Sequence, residues 1–249
     1  MTKAIELDPF ARFRDVTRAR IGLGRSGDAI PTRAILDFQL AHARARDAVH
    51  GQVDFAALAN ELAPVPSIRV RSRAKDRTAF LARPDLGRQA DTADLPETSE
   101  RHDIAFIIAD GLSAAAVERH AAPLFKACMK RLGGLSVAPV ILGEQARVAF
   151  GDEAAAALGA EIAIVLIGER PGLSVPDSLG AYITFRPQPG RRDSERNCIS
   201  NILADGLSYE SAADKIVWIV REALRLQLTG VDLKENAQGA TEALSYSKT

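Results

Sequence analysis

Ile104-Ala105-Phe106-Ile107-Ile108-Ala109-Asp110-Gly111 is the stretch whose reading decides the fold. Six apolar residues in a row, without polar alternation, suit a strand buried on both faces of a parallel sheet. Asp110-Gly111 then turns the chain. Ser113 can cap a helix whose Val117, Ala121, Leu124, Phe125, Cys128 and Leu132 form one apolar stripe, with Pro123 as an expected kink and Gly133-Gly134 as the stop. The same alternation continues downstream. A strand is expected over 137–142, an alanine-rich helix over 145–158, and strands over 161–167 and 179–185. A last helix over 209–228 has Ser208 as cap and Gly230 beyond its end. The order β-α-β-α-β-β-α predicts an α/β fold with an open, mostly parallel sheet, right-handed crossovers and flanking helices. Ligands of such sheets lie outside the carboxyl ends of the strands.

Upstream the pattern is different. A helix is expected over 32–49, with Thr32 as cap and Ile35, Leu36, Gln39, Leu40, Ala43 and Arg46 along one side. Its Ala-His-Ala-Arg-Ala-Arg-Asp-Ala segment has high helix propensity and small side chains that let another backbone come close. A second short helix over 54–62 stops before Pro64 and Pro66. A basic run (Arg69, Arg71, Arg73, Lys75, Arg77) and an acidic one (Asp91, Asp94, Glu97, Glu100, Asp103) follow. The odd-numbered basic residues would share a face if extended, which is the ordinary chemistry of a solvated sheet edge. This polar zone divides the chain into a smaller, mainly helical N-terminal region (1–95) and an α/β domain (96–249).

Composition narrows the function. Lys plus Arg and Asp plus Glu are both 32, so no net field draws the chain to nucleic acid or to an anionic membrane. Two cysteines, Cys128 and Cys198, argue for a reducing compartment rather than a disulfide framework, and the four histidines are dispersed. No apolar run approaches the roughly 20 residues of a membrane helix, and residues 1–9 lack an apolar signal region. The expected location is the cytoplasm.

One motif has to be weighed. Gly22-Leu23-Gly24-Arg25-Ser26-Gly27 is a G-x-G-x-x-G, which in a dinucleotide-binding turn follows a buried strand and opens a helix. Here charged residues precede it and Pro31-Thr32 delay the next helix, so a glycine-rich loop is the better reading and a nicotinamide-dependent oxidoreductase the alternative. Two other loops reach the ligand edge. Residues 168–180 carry Glu169, Arg170 and Asp177 on a path fixed by three Gly and two Pro. Residues 191–201 form a polar-dense loop containing Cys198 and suit a ligand rich in amide and phosphate groups. Each has a plainer explanation. Glu169 beside Arg170 can be a weak surface pair, Cys198 a buried small apolar residue, and Trp218 a core residue. A nucleophilic Cys198 lacks a histidine nearby in sequence.

Five segments together go further: Ala19–Arg25, Gln39–Val49, Arg83-Pro84-Asp85-Leu86-Gly87-Arg88, Gly168-Glu169-Arg170-Pro171-Gly172 and Glu195–Ile202. In this order, over about residues 8–232, the chain resembles the small subunit of ethanolamine ammonia-lyase. The resemblance implies a Rossmann-like domain in an adenosylcobalamin-dependent lyase that converts ethanolamine to acetaldehyde and ammonia. It implies a hetero-oligomer in which a large barrel subunit carries substrate and radical chemistry, and a small subunit that is inert alone. The family's cobalamin contacts carry over to Val148, Glu169 and Cys198, with no catalytic residue and no metal ligand in this chain. No D-x-H-x-x-G occurs here, so the cofactor's own benzimidazole is expected to stay on the cobalt (base-on). In some relatives a longer leader is associated with packaging in a bacterial microcompartment; the short leader here leaves encapsulation open. The remaining alternative is a structural partner that touches no cofactor.

Overall fold

A computed structural model describes residues 8–95 and 100–234. Glu97 of the acidic run and residues 1–7 of the leader lie outside the described residues. Along the chain come helices α1 (Ala11–Arg14), α2 (Thr32–His50) and α3 (Phe55–Leu62), strand β1 (Ser67–Arg71), and helices α4 (Arg77–Ala82) and α5 (Pro84–Gly87). The body continues β2 (His102–Ala109), α6 (Ala114–Met129), β3 (Val140–Glu144), α7 (Phe150–Ala157), β4 (Ala160–Gly168), β5 (Leu179–Phe185), β6 (Arg196–Ile202) and α8 (Tyr209–Leu226).

The six strands form one sheet in the order β1-β3-β2-β4-β5-β6. The first three pairings are parallel and the last two antiparallel, so the sheet is mixed, with antiparallel pairing confined to the β5–β6 side. β2 sits in the middle, and its residues alternate between two cores. Ile104, Phe106 and Ile108 face α3, α6 and α8, whereas Ala105, Ile107 and Ala109 face α7. That is why its run is apolar throughout. From β2 the chain goes first to β3 on one side and then to β4 on the other, so the strand order reverses direction at the β2/β4 boundary. There the carboxyl ends crowd together. Gly111 (φ +56°) and Gly168 lie so close that a Cβ on Gly111 would sit 2.4 Å from the Gly168 carbonyl oxygen. Only glycine meets both demands at position 111.

Several expectations need correction. Residues 196–202, read as part of a polar loop, are edge strand β6. Its buried positions are Arg196, Ile199 and Ile202, so only two of its inward residues are apolar. Strand β1 lies on the N-terminal side of residue 95 yet is the opposite edge of the same sheet. Its Arg69 and Arg71 point outward and pair with Glu144 and Asp94. The alternation ends at α4, where Arg77 turns inward. Thr32 does not cap α2; Pro31 occupies the cap position without a side-chain bond. Helix α7 starts at Phe150, five residues later than expected, because Asp110 accepts from the Gln145 and Ala146 amides (2.9 Å each) and Gln145 adopts φ 52°. Ser113 and Ser208 cap α6 and α8 as expected, and Pro123 lies inside α6 without ending it.

The glycine motif is a loop. Gly22, Gly24 and Gly27 all have positive φ, no strand precedes them among the described residues, and α2 begins five residues after the last. The strand–turn–helix context that a dinucleotide turn needs is not met.

Candidate functional site

Two adjoining cavities open at and beside the carboxyl ends of β2 and β4. The larger, about 500 Å³, is lined by Gly111, Leu112, Gly168, Glu169, Phe80 and Tyr182 among others. The smaller, about 220 Å³, reaches Arg88, Asp193, Arg196 and Cys198. Arg147, Val148 and Tyr182 line both. Val148 and Glu169 thus border the first cavity, and Val148 and Cys198 the second. Larger cavities exist, including one of about 790 Å³ near the glycine-rich loop, away from the ends of β2 and β4.

Val148 is half-buried in the turn that Asp110 holds ahead of α7. Burial pushes the Asp110 carboxyl up to about 6, against the pull of the Ala146 amide and of Arg77. Arg77 itself is buried, donates to the Val49 carbonyl (2.6 Å) and lies 3.5 Å from Asp110. The guanidiniums of Arg77 and Arg147 each stack on the Phe80 ring, 4.6 and 4.4 Å from its centroid. Arg147 also donates to the Phe80 carbonyl, while its buried Nε has no hydrogen-bond partner. Phe80 and Arg147 of this stack line the larger cavity.

Glu169 leaves the end of β4 and is half-buried. The Ser178 hydroxyl donates to its Oε2, as does the Asn201 amide (3.3 Å), and its own amide donates to the Ser178 carbonyl (2.9 Å). Among the described residues no hydrogen bond falls on Oε1. A Cβ on Gly180 would approach that oxygen to 3.1 Å, so glycine there leaves the carboxylate room. The neighbouring Arg170 is exposed, and among the described residues' ion pairs it makes none with Glu169. Glu169 is therefore braced by the β5 and β6 sides of the site, not by a surface ion pair.

Cys198 stands inside β6, not after a strand end. It is exposed rather than buried, and directly opposite Tyr182 on β5. Helix α7 covers β2 and β4 on this face, while α8 covers β5 and β6 on the other, which leaves Tyr182 and Cys198 on an open floor beside α7. Local burial of the sulfur raises the Cys198 thiol above its ordinary range, opposed by its hydrogen bonding with Tyr182; burial raises the Tyr182 phenol too. Both are neutral at pH 7. They can offer weak donors and acceptors, not a thiolate. Cys128, in the core, is pushed up to about 12 by burial. Trp218 packs half-buried against the same core.

Beneath this floor a buried ion pair ties β6 to α7. Arg196 donates in bidentate fashion to Asp152 (2.6 and 2.7 Å) and also to Thr184 Oγ1 and the Arg191 carbonyl. Sequence reading missed Tyr182, Arg147, Phe80 and this pair. The local signal was the pair of polar-tipped residues Tyr182 and Thr184 in a mostly apolar strand. Among the described residues no group of three or more His, Cys, Asp or Glu could hold a metal, and no helix is long and apolar enough to cross a membrane.

Comparison with known proteins adds a separate line of information. Residues 7–234 match the family model described as ethanolamine ammonia-lyase light chain (EutC). Proteins named ethanolamine ammonia-lyase small subunit are similar over 94% of this chain. That of Rhodopseudomonas palustris (strain BisA53) is 50% identical, with 94% of its own length covered. Those of Pseudomonas fluorescens (strain Pf0-1) and Azotobacter vinelandii are 49% and 48% identical, with 89% and 90% covered.

Proposed function

The chain belongs to the ethanolamine ammonia-lyase light chain family, and from that premise we propose that its paired cavities are one wall of an adenosylcobalamin site completed by a large subunit. The observation that carries the reading is the convergence of Val148, Glu169 and Cys198 on cavities that share Arg147, Val148 and Tyr182. The three come from a turn after β3, the end of β4 and the middle of β6. The switch-point location and the parallel β1-β3-β2-β4 core also favour a Rossmann-like description of this half.

The residues fit part of a corrinoid. Glu169 keeps one carboxylate oxygen without a hydrogen-bond partner among the described residues, which suits the amide N–H groups around a corrin rim or a ribose hydroxyl. Val148 offers an apolar contact and Cys198 with Tyr182 a shallow, neutral floor. A corrin ring with its nucleotide tail and adenosyl group is larger than either cavity, so this chain forms a wall and the partner encloses the rest. When bound, the cofactor supplies the homolytic chemistry by which ethanolamine becomes acetaldehyde and ammonia. This chain's residues orient and help keep water from the reacting groups. Among the described residues no acid–base pair lines these cavities for amino-alcohol chemistry, which favours a small chain that is inert alone.

The test uses the chain co-expressed with the large subunit and corrinoid absorbance as readout. Glu169→Gln keeps the acceptor for Ser178 but removes the charge. Losing a charge-assisted bond of about 1.5–3 kcal/mol weakens cobalamin affinity roughly ten- to a hundred-fold. Unchanged affinity in an intact complex would favour a structural partner that does not touch the cofactor.

A further inference from the structure

Residues 10–40 form an arm with almost no core of its own. Nine of the twelve large apolar side chains exposed among the described residues lie in it. Helix α2 runs for 19 residues with Ala48 as its only buried side chain. The alanines at 34, 41 and 45 are partly covered, while Ile35, Leu36, Phe38 and Leu40 face outward. A helix of this length owes its stability mainly to packing of its apolar face, and among the described residues Ile35, Leu36, Phe38 and Leu40 of this face stay exposed.

The arm is also charged and tied to the site. It carries six Arg against three Asp, with no Lys or Glu. A groove of about 790 Å³ between the glycine-rich loop and the start of α2 is lined by Arg14, Arg18, Arg20 and Arg33, with Asp8 and Asp37 opposing them. Arg20 donates to the Leu173 carbonyl, Ser174 donates to the Arg18 carbonyl, and Arg18 pairs with Asp205. Leu173 and Ser174 belong to the loop that begins with Glu169. Whatever covers the arm therefore lies over a surface continuous with the cavity mouth.

We propose that residues 10–40 are the docking arm for the large subunit, received by an apolar surface rimmed with carboxylates, one of which enters the arginine-lined groove. The proposal rests on the small-subunit reading above. Charge decides between partners: two copies of the arm facing each other would oppose like charge to like, whereas an acidic rim neutralises it. The glycine-rich loop gains a use here, as the bend that brings the arginines of residues 14–20 over the start of α2.

The full chain and the large subunit are titrated against each other, and the free small chain is sedimented separately. Ile35→Asp with Leu36→Asp, both exposed, lowers affinity for the large subunit roughly ten- to a hundred-fold. Arg33→Glu lowers it too, with a weaker salt dependence than the wild type. Glu169→Gln assembles normally. Arm variants that keep helical circular dichroism and bind as tightly as the wild type overturn the proposal while leaving the small-subunit reading intact. A wild-type chain that does not bind the large subunit at all overturns both. A free chain that dimerises, with the dimer abolished by the Ile35 and Leu36 changes, overturns it in favour of a second copy.

Discussion

Replacing Asp152 with alanine removes one half of an ion pair whose side chains are only 1% and 2% exposed. The Arg196 guanidinium would keep Thr184 Oγ1 and the Arg191 carbonyl as acceptors but lose both carboxylate bonds. Its buried Nε lacks a hydrogen bond and would keep only the exposed Asp193 carboxylate, 3.6 Å away, as an opposite charge. A buried charge left with only a solvent-screened partner costs up to about 3–5 kcal/mol. For a chain of this size each kcal/mol lowers Tm by roughly 2–4 °C, so the expected drop is about 6–20 °C. Arg196→Met combined with Asp152→Ala removes the charge along with its partner, and replacing a buried pair with apolar side chains is often close to neutral. The double variant should therefore be more stable than Asp152→Ala alone. Urea unfolding followed by circular dichroism measures both, with stability read from the midpoint at constant slope. A loss below about 1 kcal/mol for Asp152→Ala, or a double variant that loses the sum of the two singles, would refute the reasoning. The pair also holds β6 against α7, so Asp152→Ala should loosen the floor that carries Cys198.

Other outcomes follow from the geometry around the β2/β4 ends. Asp110 titrates near 6 in the fold against 3.8 as its ordinary value, so its contribution is fully present below about pH 3.8 and lost as pH rises through about 6. Relative to wild type, Asp110→Asn should gain up to about 3 kcal/mol between pH 4 and 6; a pH-independent difference would contradict this. The His120 imidazole, held below its ordinary range by burial, is common to both proteins and cancels. Gly168→Ala would put a Cβ 2.2 Å from the Ser113 carbonyl oxygen and 2.8 Å from that of Asp110. It should cost about 1–3 kcal/mol in thermal unfolding and misplace Glu169; an unchanged Tm would show that the strand ends are looser than described.

The alternating body of the fold was legible because β2 and β4 are buried on both faces, which demands unbroken apolar runs, and because Ser113 and Ser208 mark helix starts by local hydrogen bonds. Strand β5 matched over 179–185 because six of its seven residues are buried and four are apolar. Strand β6 was hidden because its buried Arg196 is made tolerable by Asp152, 44 residues away, and no local pattern encodes that partner. The late start of α7 has a similar cause: the Asp110 carboxylate, 35 residues upstream, accepts from the 145 and 146 amides and holds a turn in which Gln145 has φ 52°, outside the helical region. The three site residues entered through family resemblance, whereas Tyr182 and Arg147 emerged only from strand register and side-chain stacking. The large apolar content of α2 was visible in sequence, but its exposure was not.

Whether the face bearing Cys198 meets the cofactor can be measured directly. Cys198 is exposed while Cys128 is buried with its thiol raised to about 12, so an alkylating reagent should mark Cys198 selectively. In the complex with the large subunit, mass spectrometry of the Cys198 peptide should show modification without adenosylcobalamin and strong protection once it is bound. Equal modification of Cys198 with and without the cofactor would contradict the claim that this surface is a wall of its site.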